Sequence, residues 1–158
     1  MLKKFAIAAA LTLAALAPAT AHHPGETASK GDIKVSHGWT VATSSMAHAV
    51  EVYVTMWNEG ESPDKLIGAE VPFADDAVIQ AQSVGDDGGL EMRDLQSIEL
   101  KPEQAVTLHP QGVRLVFNDV QRVLRPGDSF HAHLEFAKAG EIEIEISVMA
   151  PDQADEMM

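Results

Sequence analysis

Hydrophobic and polar positions alternate most clearly between Ala49 and Trp57. There Val50, Val52, Val54 and Met56 interleave with Glu51, Tyr53, Thr55 and Trp57. A period of two, rich in β-branched and aromatic residues, predicts a strand with one face buried. Weaker alternation runs from Ile33 to Trp39, and Phe130 to Phe136 alternates again. Glu141 to Val148 places glutamate on one face and isoleucine on the other, and Leu66–Val71 and Val78–Val84 add two further strands. The chain is organised around Ala81–Val116. Here the loop-like Gly85-Asp86-Asp87-Gly88-Gly89, the run Leu90–Arg93 and the run Gly112–Val116 predict a hairpin followed by a return strand. Ile98–Leu100 and Ala105–Leu108 flank a Lys101-Pro102-Glu103 turn, and Val113–Phe117 is apolar on both faces, as a central strand would be. Val41–Met46 reads as a loop, and Asn58–Asp64, Arg125–Asp128 and Gly140 read as turns. Beyond residue 21 no window carries a helical period. Short strands at regular spacing predict an all-β antiparallel sandwich or barrel in one domain, which suits 158 residues.

The N-terminus has a different character. Lys3 and Lys4 precede the apolar run Phe5–Leu16, and Ala19-Thr20-Ala21 fits the small-x-small cleavage rule. Residues 1–21 therefore read as a signal peptide and place the mature chain in the periplasm. Residues 22–31 read as a flexible His-containing leader, 32–149 as the sandwich domain, and 150–158 as an acidic, Met-containing tail. No membrane span is expected after cleavage, and with no Cys in the chain a lipid anchor on cysteine is excluded.

Charge and composition narrow the chemistry. Cleavage removes two Lys and no acid, so the formal charge moves from −13 to −15. Such a surface repels nucleic acid and anionic lipid. The absence of Cys excludes disulfides and thiolate metal sites, leaving seven His, seven Met and the carboxylates as ligands. There is no Gly-x-Ser-x-Gly, phosphate loop or His-Glu-x-x-His, and no enzyme is expected.

Four segments carry a family likeness. Tyr53-Val54-Thr55-Met56-Trp57-Asn58-Glu59-Gly60, Asp64-Lys65-Leu66-Ile67-Gly68-Ala69, Leu124–Asp128 and Leu134–Gly140 occur in the order and spacing of the periplasmic copper chaperones of the PCuAC type. The chain resembles that family over roughly Ile33–Val148. The resemblance implies a cupredoxin-like β-sandwich that carries Cu(I) toward cytochrome oxidase, its partners being copper, an oxidase subunit or another copper carrier. In the family a His precedes a Met by eleven positions, and a His-x-Met follows on a later strand. Laid on this sequence, the frame falls on Ala81, Met92 and Arg114-Leu115-Val116, so only Met92 survives as a ligand. The implied copper motif is degenerate.

Other residues could take its place. A chain cut after Ala21 begins His22-His23, whose terminal amine and imidazoles suit Cu(II) in tetragonal geometry. His131 and His133 lie two apart on a predicted strand and share its outer face. Met46-Ala47-His48 pairs a thioether with an imidazole in a loop, whereas His37 and His109 are isolated. The expected metal ligands are Met92, His22, His23, His131 and His133. Two functions follow. One is an exported copper-binding chaperone or buffer working through a remodelled site. The other is a metal-free sandwich that binds a protein partner.

Overall fold

The computed structural model describes residues 26–45 and 47–156. Its strands are β1 (Thr27–Lys30), β2 (Ile33–Val41), β3 (Ala49–Asn58), β4 (Asp64–Glu70), β5 (Val78–Val84) and β6 (Leu90–Leu95). They continue with β7 (Ile98–Leu100), β8 (Ala105–Thr107), β9 (Val113–Asn118), β10 (Ser129–Phe136) and β11 (Gly140–Met149), and a short helix α1 (Pro151–Asp155) follows. Hydrogen bonding joins the strands into one ribbon ordered β6-β5-β9-β3-β2-β11-β10-β4-β7, with β1 added to β2 and β8 to β3. The ribbon folds over on itself into a β-sandwich. A single core runs through both halves, from Val52, Val54, Ile79, Leu115 and Phe117 to Leu66, Leu100, Leu134, Ile144 and Ile146. The Ala77 N–H donates to Ala69 O at 2.8 Å, tying the lead-in of β5 to β4 across the fold.

The inward valines of β3 are buried as their alternation requires, and so is Tyr53 on the opposite face. The reason lies in β2. Val35 pairs with Met56, but after a bulge at His37 and Gly38 it is Trp39 that pairs with Tyr53. One extra residue reverses the facing of everything beyond it, so Trp39 joins the outward set and stacks on Tyr53 with ring centroids 4.4 Å apart. His37 takes a positive φ of 53° there, and at Gly38 a Cβ would meet Glu145 O at 2.7 Å. The isolated His37 thus sits at a structural kink.

Two buried polar residues hold the turns. The Asp64 carboxylate, 5% exposed, accepts the N–H groups of Lys65 at 2.7 Å and of Lys138 and Ala139 at 2.9 Å. It therefore fastens the β10–β11 turn to β4. Asn58 donates to Ser62 O and Leu100 O at 2.8 and 3.0 Å and accepts from Gly60 N–H, bridging β3 to β7. Both residues belong to the segments that carry the family likeness.

Three features depart from expectation. Thr27–Lys30, within the stretch read as a flexible leader, pairs with Ile33–Ser36 as β1. β11 pairs with β2 in parallel, through Ser147↔Trp39 and Met149↔Val41, so the sandwich is not wholly antiparallel. These two strands are far apart in sequence, so no tight turn imposes an antiparallel sense. Finally, Pro151–Asp155 of the tail forms α1. Pro151 suits the first helical turn, Gln153 accepts the Ala150 N–H at 3.2 Å, and Ala154 is buried.

Asp64→Ala would strand the N–H groups of Lys138 and Ala139 and is expected to cost roughly 2–4 kcal/mol. Urea unfolding should show a lower midpoint with an unchanged slope. A midpoint equal to that of the unaltered protein would remove Asp64 from this role.

Candidate metal centre

The copper frame that the resemblance implies falls on three adjacent strands. β5 pairs with β6 through Gln80↔Asp94, Ala81↔Arg93 and Gln82↔Met92, and with β9 through Gln80↔Arg114 and Ala81↔Val113. Residues directly opposite one another share a face of the sheet. Gln80, Gln82, Met92 and Arg114 therefore stand on one side, whereas Ala81 lies on the other with Val113 and Arg93. The residue across from Met92 is Gln82, and Ala81 faces away. Glu51 pairs with Val116 on the next strand and brings Tyr53 into the same outward set.

At the centre of this face lies the Arg114 guanidinium. Its Nη2 donates to Met92 Sδ at 2.9 Å and its Nη1 to Pro110 O at 2.7 Å. Nε lies 3.4 Å from Glu51 Oε1 as an ion pair without hydrogen-bond geometry, and is a buried donor with no hydrogen-bond partner. The Arg114 side chain is 13% exposed. Glu51 also accepts the phenolic O–H of Tyr53. Burial, then the hydrogen bond to Glu51, then the charge of that carboxylate push the Tyr53 hydroxyl far above its ordinary value, with Arg114 opposing.

This donor set does not fit Cu(I). Arg has no free lone pair, and the amides of Gln80 and Gln82 are poor partners for a soft ion. A second unit charge 4 Å from the guanidinium would cost about 1 kcal/mol in water and about 4 kcal/mol at an effective dielectric of 20. Met92 itself is 46% exposed at the rim.

His22 and His23 fall outside the described residues, as does Met46. His131 and His133 are on β10, with five strands of the ribbon between them and β6, so they are remote from Met92 in hydrogen-bonded order. They do share a face, as expected, but carboxylates line it. His133 Nδ1 lies 3.1 Å from Glu141 Oε1 and Nε2 lies 3.5 Å from Glu143 Oε2, and its strand partners are Glu143 and Glu70. Among the described residues no three His, Cys, Asp or Glu side chains converge on a metal-sized point. His109 is the imidazole that sequence reading set aside and the fold brings beside the frame. It opens the turn carrying Pro110, and its ring lies over Gly112, where a Cβ would come within 2.4 Å of Nε2. Nothing in its spacing from Met92 signals this, because the neighbourhood is made by β5 pairing with β9.

Residues 33–148 match the family model described as "lipoprotein LpqE-like". The chain belongs to the LpqE-like family. No curated protein matches it. Among solved structures, this LpqE-like chain is similar to the apo PCuAC domain from PmoF1, at 28% identity and a TM-score of 0.69, covering 80% of this chain and 100% of that one. It is also similar to the copper-bound PCuAC domain from PmoF2, at 26% identity and a TM-score of 0.66, covering 80% and 99%. The solution structure of CuI-DR1885 from Deinococcus radiodurans shares the fold at 21% identity and a TM-score of 0.54, over 71% and 74% of the two chains. The likeness read from four sequence segments is thus a PCuAC likeness in three dimensions, carried by an LpqE-like chain without the Cys a lipoprotein acylates. No helix among the described residues is long and apolar enough to cross a membrane.

Tyr53 is the single tyrosine, so tyrosinate absorbance reports it alone. Its folded-state pKa is raised above the unfolded value of about 10, so its contribution to stability is complete below pH 10 and is lost as pH rises beyond that. Native protein at pH 11 is expected to show no tyrosinate band, the band appearing together with unfolding at higher pH. A native band with a midpoint near 10 would contradict the buried Tyr53–Glu51 contact.

Proposed function

We propose that this chain is an exported, non-catalytic copper-binding protein of the PCuAC type that carries or buffers copper in the periplasm, its cargo held outside the frame its family uses. The observation that carries the reading is the match of 80% of this chain to nearly the whole of two PCuAC domains, one of them copper-bound, at 26–28% identity. In this chain Met92 is the remaining frame ligand, and it accepts a hydrogen bond from Arg114. The ligands proposed instead are the terminal amine and imidazoles of His22 and His23, which favour Cu(II). His131 and His133 would be a second, weaker pair. Delivery would be to a cytochrome oxidase subunit or another copper carrier. The signal-like residues 1–21 and the lipoprotein family support export.

A second reading has one observation in its favour. The guanidinium already satisfies the frame, so the sandwich would need no metal and could serve as a docking module. The two readings part on one experiment. Signal-cleaved protein, its N-terminus verified by intact mass, is titrated with Cu(II) and with Cu(I) against a competing chelator. One tight equivalent of Cu(II), weakened at least a hundredfold when one residue is added before His22, is the expected result. No competition for either ion would sink the copper reading.

A further inference from the structure

We propose that Arg114 is a built-in cation lock. Its guanidinium stands in for the metal of the inherited frame, masks the Met92 thioether, and holds the β5–β6 hairpin against β9 without copper. The lock is distinct from the proposed leader site and would operate even if the leader bound nothing.

A metal in such a frame would join side chains from β6 and β9 by drawing their lone pairs to one positive centre. Arg114 does the same from within the chain. It rises from β9, reaches Met92 on β6 through Nη2 at 2.9 Å, and fixes its own turn through Pro110 O at 2.7 Å. Glu51 on β3 lies beside Nε at 3.4 Å. Three strands and a turn thus meet at one planar cation, its Nη1 and Nη2 donating hydrogen bonds and its Nε side facing Glu51 as an ion pair. Glu51 in turn is fixed by the Tyr53 hydroxyl, and Tyr53 by its stacking on Trp39. The hairpin needs such a tie. β6 is the terminal strand of the ribbon, every residue from Leu90 to Asp94 is exposed, and Leu90 and Val84 at its tip are about 70% exposed. Little apolar burial holds it down, so a polar tie to β9 counts for more than it would in a core strand. Occupation of the Met92 sulfur by an N–H donor also has a chemical consequence. A soft ion approaching the Met92 sulfur meets a charged donor already on it, and the guanidinium is close enough to repel the ion.

The test uses Cu(I) itself, held at known activity by a coloured chelator. In the exported protein, Met92→Leu should change Cu(I) affinity by less than twofold. Arg114→Met removes the cation and adds a thioether. It is expected to tighten Cu(I) binding at least tenfold, and adding Met92→Leu should abolish that gain. Loss of a merely structural side chain would not create affinity. A tenfold weakening in Met92→Leu alone, or a gain in Arg114→Met that survives Met92→Leu, would overturn the lock. Should Arg114→Met fail to fold, methyl-labelled methionine in the unaltered protein decides the matter. The Met92 methyl resonance, identified by its absence in Met92→Leu, should stay in place through one equivalent of Cu(I). Its movement would show an open thioether and refute the proposal.

Discussion

A guanidinium that is mostly withdrawn from water must find acceptors, and the arrangement around Arg114 follows from that need. The residue occupies a position where the family frame expects a metal ligand, on a strand between β5 and β3. From there its nitrogens reach a thioether, a carbonyl and a carboxylate on separate parts of the fold. A buried unpaired charge would cost several kcal/mol, so the ion pair with Glu51 is a condition of having Arg114 at all. Tyr53 and Trp39 complete the wall that keeps this pair on the sheet. The bulge at His37 and Gly38 makes the wall possible, because without the extra residue Trp39 would face the opposite side.

Asn58, Gly60 and Asp64, within segments that carry the family likeness, form a set of polar fastenings that close turns and join strands distant in sequence. Such groups are expensive to alter, since removing one leaves several backbone groups unsatisfied. At Arg114 the side chain is itself largely withdrawn from water, and the carboxylate of Glu51 lies beside it as its ion-pair partner.

Much of the fold was legible in the period-two pattern. The strand expected at Val78–Val84 is the strand observed, and the glutamate–isoleucine alternation of β11 places Ile142, Ile144 and Ile146 in the core. Less legible were elements whose cause is tertiary. β1 consists of Thr-Ala-Ser-Lys, with no alternation to announce it, and exists because the first half of β2 offers it an edge. The parallel β2–β11 pair joins segments more than a hundred residues apart. In the site, the residues standing where the resembled frame places ligands, Ala81, Arg114 and Val116 beside Met92, were readable from the sequence. That Ala81 faces away from Met92, and that Arg114 donates to its sulfur, depends on register, which the sequence pattern does not specify at the polar residues of β5.

Copper K-edge absorption on the exported, copper-loaded protein bears most directly on the claim that the thioether frame has been closed and its cargo moved elsewhere. A first shell of nitrogen and oxygen scatterers with no sulfur, unchanged in Met92→Leu, is the expected result. A sulfur shell at roughly 2.3 Å, a typical metal–sulfur distance, that disappears in Met92→Leu would contradict it.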